Sequence, residues 1–337
     1  MRISAPHRPP RSARAVLAVP PAAALATLSI VLAALSAVGC DDRRSGAASP
    51  ASGAPATAAA DRPASAAAPE PSAPARSGAG DLARLFTDRC QGGDAEACRN
   101  LGVLYEQGAG VARDEARARQ LYSEACAADN AKACNNLAAV YATGVGVEPD
   151  FERAATYYDR ACERGDLAGC RNLGLMVAQG RGAAEEPARA AELFARACDG
   201  GLALACTNLG GLHRDGRGVE ADAERAFALF RQACSGGDAA GCRNIGVSYM
   251  GGSGVTRSLR SAGLWLDRAC AMNDAAGCRI LGLMALNGAG PAGDGARARQ
   301  LLGRACAMGD GLACKQLSER GWADPTEGAA EGATGGA

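Results

Sequence analysis

Lysine and histidine are almost missing from these 337 residues: Lys132, Lys315, His7 and His213 are all there is. A serine nucleophile of the Ser-x-x-Lys type needs a serine three positions before a lysine, and Asp129 and Leu312 hold those positions. A zinc centre built on several histidines lacks its ligands, since His213 is the only one beyond the N-terminal segment. His213 also shares its slot in the pattern below with Tyr105, Tyr141 and Tyr249, so packing, not catalysis, is its expected role. Aromatics make up only 4% although apolar residues reach 48%. A thick central core would want more of them; a stack of small units, each burying its apolar stripe on the next, does not. Charge of one sign is lacking too, with 36 basic and 36 acidic residues. Four arginines (Arg2, Arg8, Arg11, Arg14) lie in the first 15 residues, which leaves 32 basic against 36 acidic elsewhere. No basic stripe of the kind nucleic acid requires is present.

Long apolar runs are confined to Val16–Val38, behind the arginines and before Ala37-Val38-Gly39-Cys40. A positive start, an apolar stretch and small residues before a cleavage point describe a secretory signal over 1–39. A cysteine directly after it resembles a bacterial lipobox with Cys40 as the lipidated residue, although Ala37 stands where Leu is usual. The alternative is an uncleaved anchor, the 17 residues from Ala22 to Val38 being the lower limit for a span. Either way the remainder lies outside the cytoplasm, expected to be lipid-anchored to a bacterial membrane on its periplasmic or outer-surface side. Residues 40–79 are Ala, Ser, Pro and Gly with scattered charge, too polar to offset their ordering entropy, and read as a disordered tether. Residues 322–337 read as a disordered tail.

Cysteine is what the chain has in regular supply. Cys90/Cys98, Cys126/Cys134, Cys162/Cys170, Cys198/Cys206, Cys234/Cys242, Cys270/Cys278 and Cys306/Cys314 are pairs eight apart, each pair 36 residues after the last. A fixed period in this range marks stacked supersecondary units. Within one unit, Asp94 is an N-cap candidate, a slot refilled by Asn130, Asp166, Asp238, Asp274 and Asp310 and broken only by Leu202. A first helix (A) follows, with Leu101 and Leu104 on its apolar face, stopped at Gly108. Asp114 then caps a second helix (B) carrying Ala118, Leu121 and Tyr122. Its closing slot is Gly in five places, with Asp129 and Asn273 in the other two. The unit is a helical hairpin, the array running over 80–321 from a lone helix B (Asp81–Arg89) to a lone helix A (Gly311–Arg320). Each cysteine pair then sits about one turn from a bend, within the reach of a disulfide. Free buried thiols and metal ligands are the alternatives. The Gly-x-Gly pairs such as Gly144/Gly146 and Gly180/Gly182 follow helices six times over and read as turns, not phosphate loops.

Arg117-Ala118-Arg119-Gln120-Leu121-Tyr122 ahead of Ala125, with Asn136-Leu137 and Gly144-Val145-Gly146-Val147, resembles Sel1-like repeats, relatives of the tetratricopeptide repeat. The cysteine pair in a 36-residue unit is similar to the cysteine-rich Sel1-like group first named from Helicobacter. The likeness spans about 81–320, with departures at Ala183, Ser261, Ile280 and Pro291. It implies an all-α, right-handed α-solenoid acting as a non-catalytic scaffold for a protein or extended peptide, with no cofactor. It also implies two alternatives: β-lactam binding or hydrolysis, described for the Helicobacter group, and respiratory-chain assembly or haem handling, tied to a eukaryotic relative.

Helix A carries the candidate ligand contacts. Asn100, Asn136, Asn172, Asn208 and Asn244 repeat at one site beside Arg99, Arg171, Arg243 and Arg279. In tetratricopeptide arrays this helix lines the concave face, where an amide can both donate to and accept from an extended backbone and arginine can pair with carboxylates. The competing readings are helix bridging for the asparagines and a solvated face for the arginines.

Overall fold

Asp and Asn at the N-cap slot, and glycine or its substitutes at the closing slot, predict short helices of equal length, and a computed structural model shows them. It describes residues 78–288 and 295–322. The leader, Cys40, the tether up to residue 77, the Gly290/Pro291 turn and the tail after residue 322 lie outside the described residues. The described residues form fourteen helices and no strand. In chain order they are α1 (Gly78–Gln91), α2 (Ala95–Gln107), α3 (Glu115–Ala127), α4 (Ala131–Thr143), α5 (Phe151–Glu163), α6 (Leu167–Gln179) and α7 (Pro187–Asp199). They continue as α8 (Ala203–Asp215), α9 (Ala223–Ser235), α10 (Ala239–Gly251), α11 (Leu259–Ala271), α12 (Ala275–Leu286), α13 (Gly295–Ala307) and α14 (Gly311–Ser318). Each helix packs on its neighbours in sequence, the arrangement of a solenoid.

The caps explain the register. Asp94, Asn130, Asp166, Asp238, Asp274 and Asp310 each accept a hydrogen bond from a first-turn amide, while Leu202 caps α8 with no side-chain bond. Asp129 (φ 62°) and Asn273 (φ 64°) adopt the left-handed conformation that glycine takes elsewhere in that slot. One difference is at the start, where α1 begins at Gly78 and not at Asp81. Its first turn lies beneath the next turn: a Cβ on Gly110 would meet the Ala79 carbonyl carbon at 2.3 Å. At the other end α14 stops at Ser318, Gly321 turns left-handed (φ 66°) and Trp322 folds back on the last apolar cluster.

A scarcity of aromatics is met by close approach. Tyr122, Phe194 and Phe230 of α3, α7 and α9 are buried against Gly102, Gly174 and Gly210 of their own A helices. A Cβ on each of those glycines would lie 2.6 Å from the facing ring. Leu266 and Leu302 fill the same slot against Gly246 and Gly282, so at most one large side chain per hairpin enters these alanine- and glycine-lined interfaces, and 4% aromatics suffice.

All seven cysteine pairs are disulfides between the end of one helix B and the start of the next helix A. They are Cys90–Cys98, Cys126–Cys134, Cys162–Cys170, Cys198–Cys206, Cys234–Cys242, Cys270–Cys278 and Cys306–Cys314. Their Cα separations run from 4.4 Å (Cys162–Cys170) to 4.8 Å (Cys306–Cys314). This excludes thiol and metal-ligand roles for those fourteen sulfurs in this state. Cys134, Cys170, Cys206, Cys242 and Cys278, the helix-A partners inside the array, are at most 1% exposed. Each sits in the first turn of its helix on the side facing the preceding helix B, among the residues of the apolar core. These five are thus core staples and not binding-site residues, the stacked repeats on either side having removed them from solvent. Cys90 and Cys314, where the array lacks a flanking repeat, are only half-buried.

At one bend a charge cluster adds to the staple: Asp129 accepts from Arg164 Nε at 2.8 Å and Arg160 Nη2 at 3.3 Å. Arg164 above all holds the Asp129 carboxyl below its ordinary pKa. A depressed carboxylate stabilises the fold above its unfolded pKa, and that contribution fades as pH falls through the folded value. Asp129→Asn keeps the backbone, as Asn273 shows, and removes only charge. The wild type is expected to exceed this variant in urea midpoint at neutral pH, with the gap closing in acid as the depressed Asp129 carboxylate takes up its proton.

Candidate functional site

Asn100, Asn136, Asn172, Asn208 and Asn244, at one register position of successive A helices, are all half-buried. Half-burial leaves each amide partly open to a ligand and partly committed to the protein. Asn172 Nδ2 donates to Asn135 Oδ1 at 3.0 Å, an inter-repeat bridge, and Asn100 Oδ1 accepts from Arg99 Nη2 at 2.7 Å. The side chain of Asn244 bonds to none of the described residues. Two positions before each asparagine stands the helix-A cysteine (Cys98, Cys134, Cys170, Cys206 or Cys242), which turns inward to its disulfide while the amide turns outward.

The arginine column differs from both readings of the sequence. Arg243 Nη1 donates to Asp274 Oδ2 at 2.6 Å, and Arg279 Nε donates to Asp310 Oδ2 at 2.9 Å. Each acceptor is the N-cap carboxylate of the next helix A, whose other oxygen accepts from its own first-turn amide. A single carboxylate thus caps one helix and clasps the preceding repeat, with side chains 25% and 11% exposed in the first pair and 14% and 11% in the second. Charge-assisted bonds so shielded contribute about 1.5–3 kcal/mol each. Arg243 and Arg279 are therefore each committed to an ion pair within the array. Thr207 makes the equivalent bond to Asp238.

The clasp loosens toward the N-terminus. Arg99 turns back along α2 to Glu96, with Nε at 3.1 Å and Nη2 at 2.8 Å, while Asn130 donates to the other Glu96 oxygen at 2.8 Å. Burial pushes the Glu96 pKa up, but the bonds from Arg99 and Asn130 outweigh it and hold the carboxyl below the usual range. Asp166 has no such partner; burial outweighs its amide bonds and raises its pKa. Arg171 would reach Leu202, which has no acceptor. It donates instead to Asn208 Oδ1 (Nε, 3.3 Å) and Asn172 Oδ1 (Nη1, 3.2 Å). Asn135, Arg171, Asn172 and Asn208 form one polar network across three A helices.

Sequence reasoning missed Glu96, Asn135, Thr207 and the second role of the N-cap carboxylates. The signal was present as an offset: clasp donor and acceptor are 31 residues apart, one period less the five separating the two columns. His213 lies half-buried near the end of α8 with Nδ1 enclosed and without a hydrogen-bond partner, in keeping with packing. A depression of about 530 Å³ lies elsewhere, at the α4–α5 turn, lined by Tyr141, Phe151 and Arg153 among others. Tyr141 stacks on Tyr157 there, with ring centroids 5.7 Å apart. None of the asparagine or arginine candidates lines it.

Six consecutive 36-residue segments, 95–130, 131–166, 167–202, 203–238, 239–274 and 275–310, each match the Sel1 repeat. The chain belongs to the Sel1 repeat family. Sel1 repeat proteins commonly bind proteins, and this array is a scaffold suited to that task. Among solved structures it is similar to a Sel1 repeat protein from Oxalobacter formigenes, at 22% identity and a TM-score of 0.61 over 67% of this chain and 96% of that one. It is also similar to a protective antigen of uropathogenic Escherichia coli with an SLR fold, at 24% identity and a TM-score of 0.60. That match covers 72% of this chain and spans 54% of the antigen. Cysteine-rich protein B of Helicobacter pylori matches at 27% identity over 40% of this chain and 96% of its own, with a TM-score of 0.34. These likenesses concern the fold. No curated protein sequence matches this chain.

Proposed function

We propose that this Sel1 array is a non-catalytic, extracytoplasmic scaffold that binds a protein or extended peptide along its helix-A face, centred on Asn136, Asn172 and Asn208. The observation that carries this reading is the contrast between two adjacent columns. The C-terminal arginines are consumed by inter-repeat clasps, whereas the asparagine amides stay half-exposed in five successive hairpins. Amides 36 residues apart in a stacked array, several also bonded within it, present their remaining donors and acceptors at regular intervals, which suits a ligand's main chain and not one small molecule. Seven disulfides favour an oxidising compartment, and Cys40 stands apart from the paired set as the lipid attachment point. Its replacement by serine is then expected to release the protein from the membrane fraction.

The triple variant Asn136→Ala/Asn172→Ala/Asn208→Ala tests the binding face. Cross-linking and capture from a periplasmic extract is expected to lose the partners held by wild type, while circular dichroism shows the helices intact. An unchanged partner set would remove the asparagine column from the site. Turnover of a chromogenic β-lactam by the purified protein would contradict the non-catalytic part.

A further inference from the structure

We infer that Arg171 is the charged anchor of this face, binding a carboxylate of the ligand in the place that an N-cap aspartate holds in the neighbouring repeats. The inference rests on the helix-A reading above and narrows it to one position and one ligand chemistry.

The fold builds the required arrangement twice within this chain. At Asp274 one carboxylate oxygen accepts from the Gly277 amide and the other from Arg243; at Asp310 the partners are the Ala313 amide and Arg279. The third copy has the arginine and lacks the acid, because residue 202 is leucine. Leu202 turns onto the apolar cluster around Leu173 and Phe194, so it does not substitute for the missing acceptor. Arg171 is left with two neutral amide oxygens at 3.2 and 3.3 Å, against 2.6 and 2.9 Å for the ion pairs of Arg243 and Arg279. No carboxylate lies within 4.0 Å of it among the described residues, and its Nη2 has no partner there. Burial pulls its pKa down, and the more distant charge of Asp238 offsets this only in part. Asp238 itself is bonded to Thr207 and the Ala240 amide. A half-buried guanidinium without a counter-ion, flanked by two carboxamides, is suited to a carboxylate from outside. Two sources supply such a group: a peptide's C-terminus, or an Asp or Glu side chain.

Nitrogen-15 NMR titration of the full array separates them. Three acetylated alanine pentapeptides serve as probes: one with a free C-terminus, one amidated, and one amidated with a central glutamate. Each is added to about 10 mM, which admits an ion pair supported by a few hydrogen bonds. The free-acid or the glutamate peptide is expected to shift the Arg171 Nε resonance and to bind about tenfold more tightly than the amidated alanine peptide. Whichever of the two does so names the source. Arg171→Gln should remove that preference. So should Leu202→Asp, which inserts the acid used by other repeats and occupies Arg171 internally; its unfolding temperature should rise, so lost binding cannot come from misfolding. Wild-type strength in Leu202→Asp, or no carboxylate preference in wild type, overturns the proposal. Equal binding of all three peptides to every variant does so too while leaving the helix-A reading standing, whereas binding by none removes both.

Discussion

Full reduction of the protein is expected to lower its thermal midpoint by more than about 30 °C. Each bridge closes a short loop, its cysteines eight positions apart, and by chain-entropy reasoning contributes roughly 2.5 kcal/mol. Seven such bridges together amount to roughly 18 kcal/mol, beyond the 5–15 kcal/mol that usually separates a folded domain from its unfolded chain. What remains after reduction is a column of alanine- and glycine-lined interfaces, each filled by a single ring or leucine, too thin to compensate. Thermal circular dichroism with and without a thiol reductant checks this, and a reduced array melting within a few degrees of the oxidised one would refute it. In a stacked array, coupling is between neighbours. Replacing only Cys162 and Cys170 by alanine should therefore loosen the middle first, visible as hydrogen exchange concentrated in α5 and α6.

Gly182→Ala is expected to cost about 2–5 kcal/mol, a large value for one methyl group on a surface turn. Two effects combine. Gly182 has φ 70°, where a side chain costs about 1–2 kcal/mol. An added Cβ would also stand 2.0 Å from the Phe151 carbonyl oxygen, a backbone atom that cannot rotate away. The relief is for the turn after α6 to lift off the first turn of α5, at the cost of inter-repeat packing. Gly254 meets the Ala223 carbonyl in the same way, so the second glycine of the turn acts between repeats as well as within one. Gly211, inside α8, is the control: a Cβ there meets nothing within 4 Å, and Gly211→Ala should stabilise by about 0.4–1 kcal/mol. Urea midpoints of the two variants measure both effects. Equal and small shifts would show that the turn does not rest on its neighbour.

Much of the fold was legible because its rules are local. The 36-residue cysteine register, the Asp94 column of caps and the left-handed slot shared by glycines, Asp129 and Asn273 all act within a few residues of the chain, where sequence patterns speak directly. The face of helix A was legible in position, since Asn136, Asn172 and Asn208 share one register. Its chemistry was not. Whether Arg243 is solvated, clasped or free depends on where the next repeat places Asp274, which is a property of stacking and not of helical periodicity. The depth of Cys134, Cys206, Cys242 and Cys278 has the same origin: spacing places each beside its partner, and stacking alone closes solvent off from it. So too for Gly182, read from sequence only as a turn residue, and for the α1 start at Gly78, fixed by the Gly110 turn lying on it. Leu202 shows the converse: visible from the start as a broken cap, it gained meaning only from the 31-residue offset of the clasps, which sets Arg171 against a position without an acid.

The central claim is that each bend from a helix B to the next helix A is locked by its own sulfur bridge, seven along the array. Peptide mapping of the purified, unreduced protein by mass spectrometry, after blocking free thiols with an alkylating agent, tests it most directly. The account predicts no label on any cysteine from Cys90 to Cys314 and seven cross-links, each joining residues eight apart. Labelled cysteines throughout the array, or links between different bends, would contradict it.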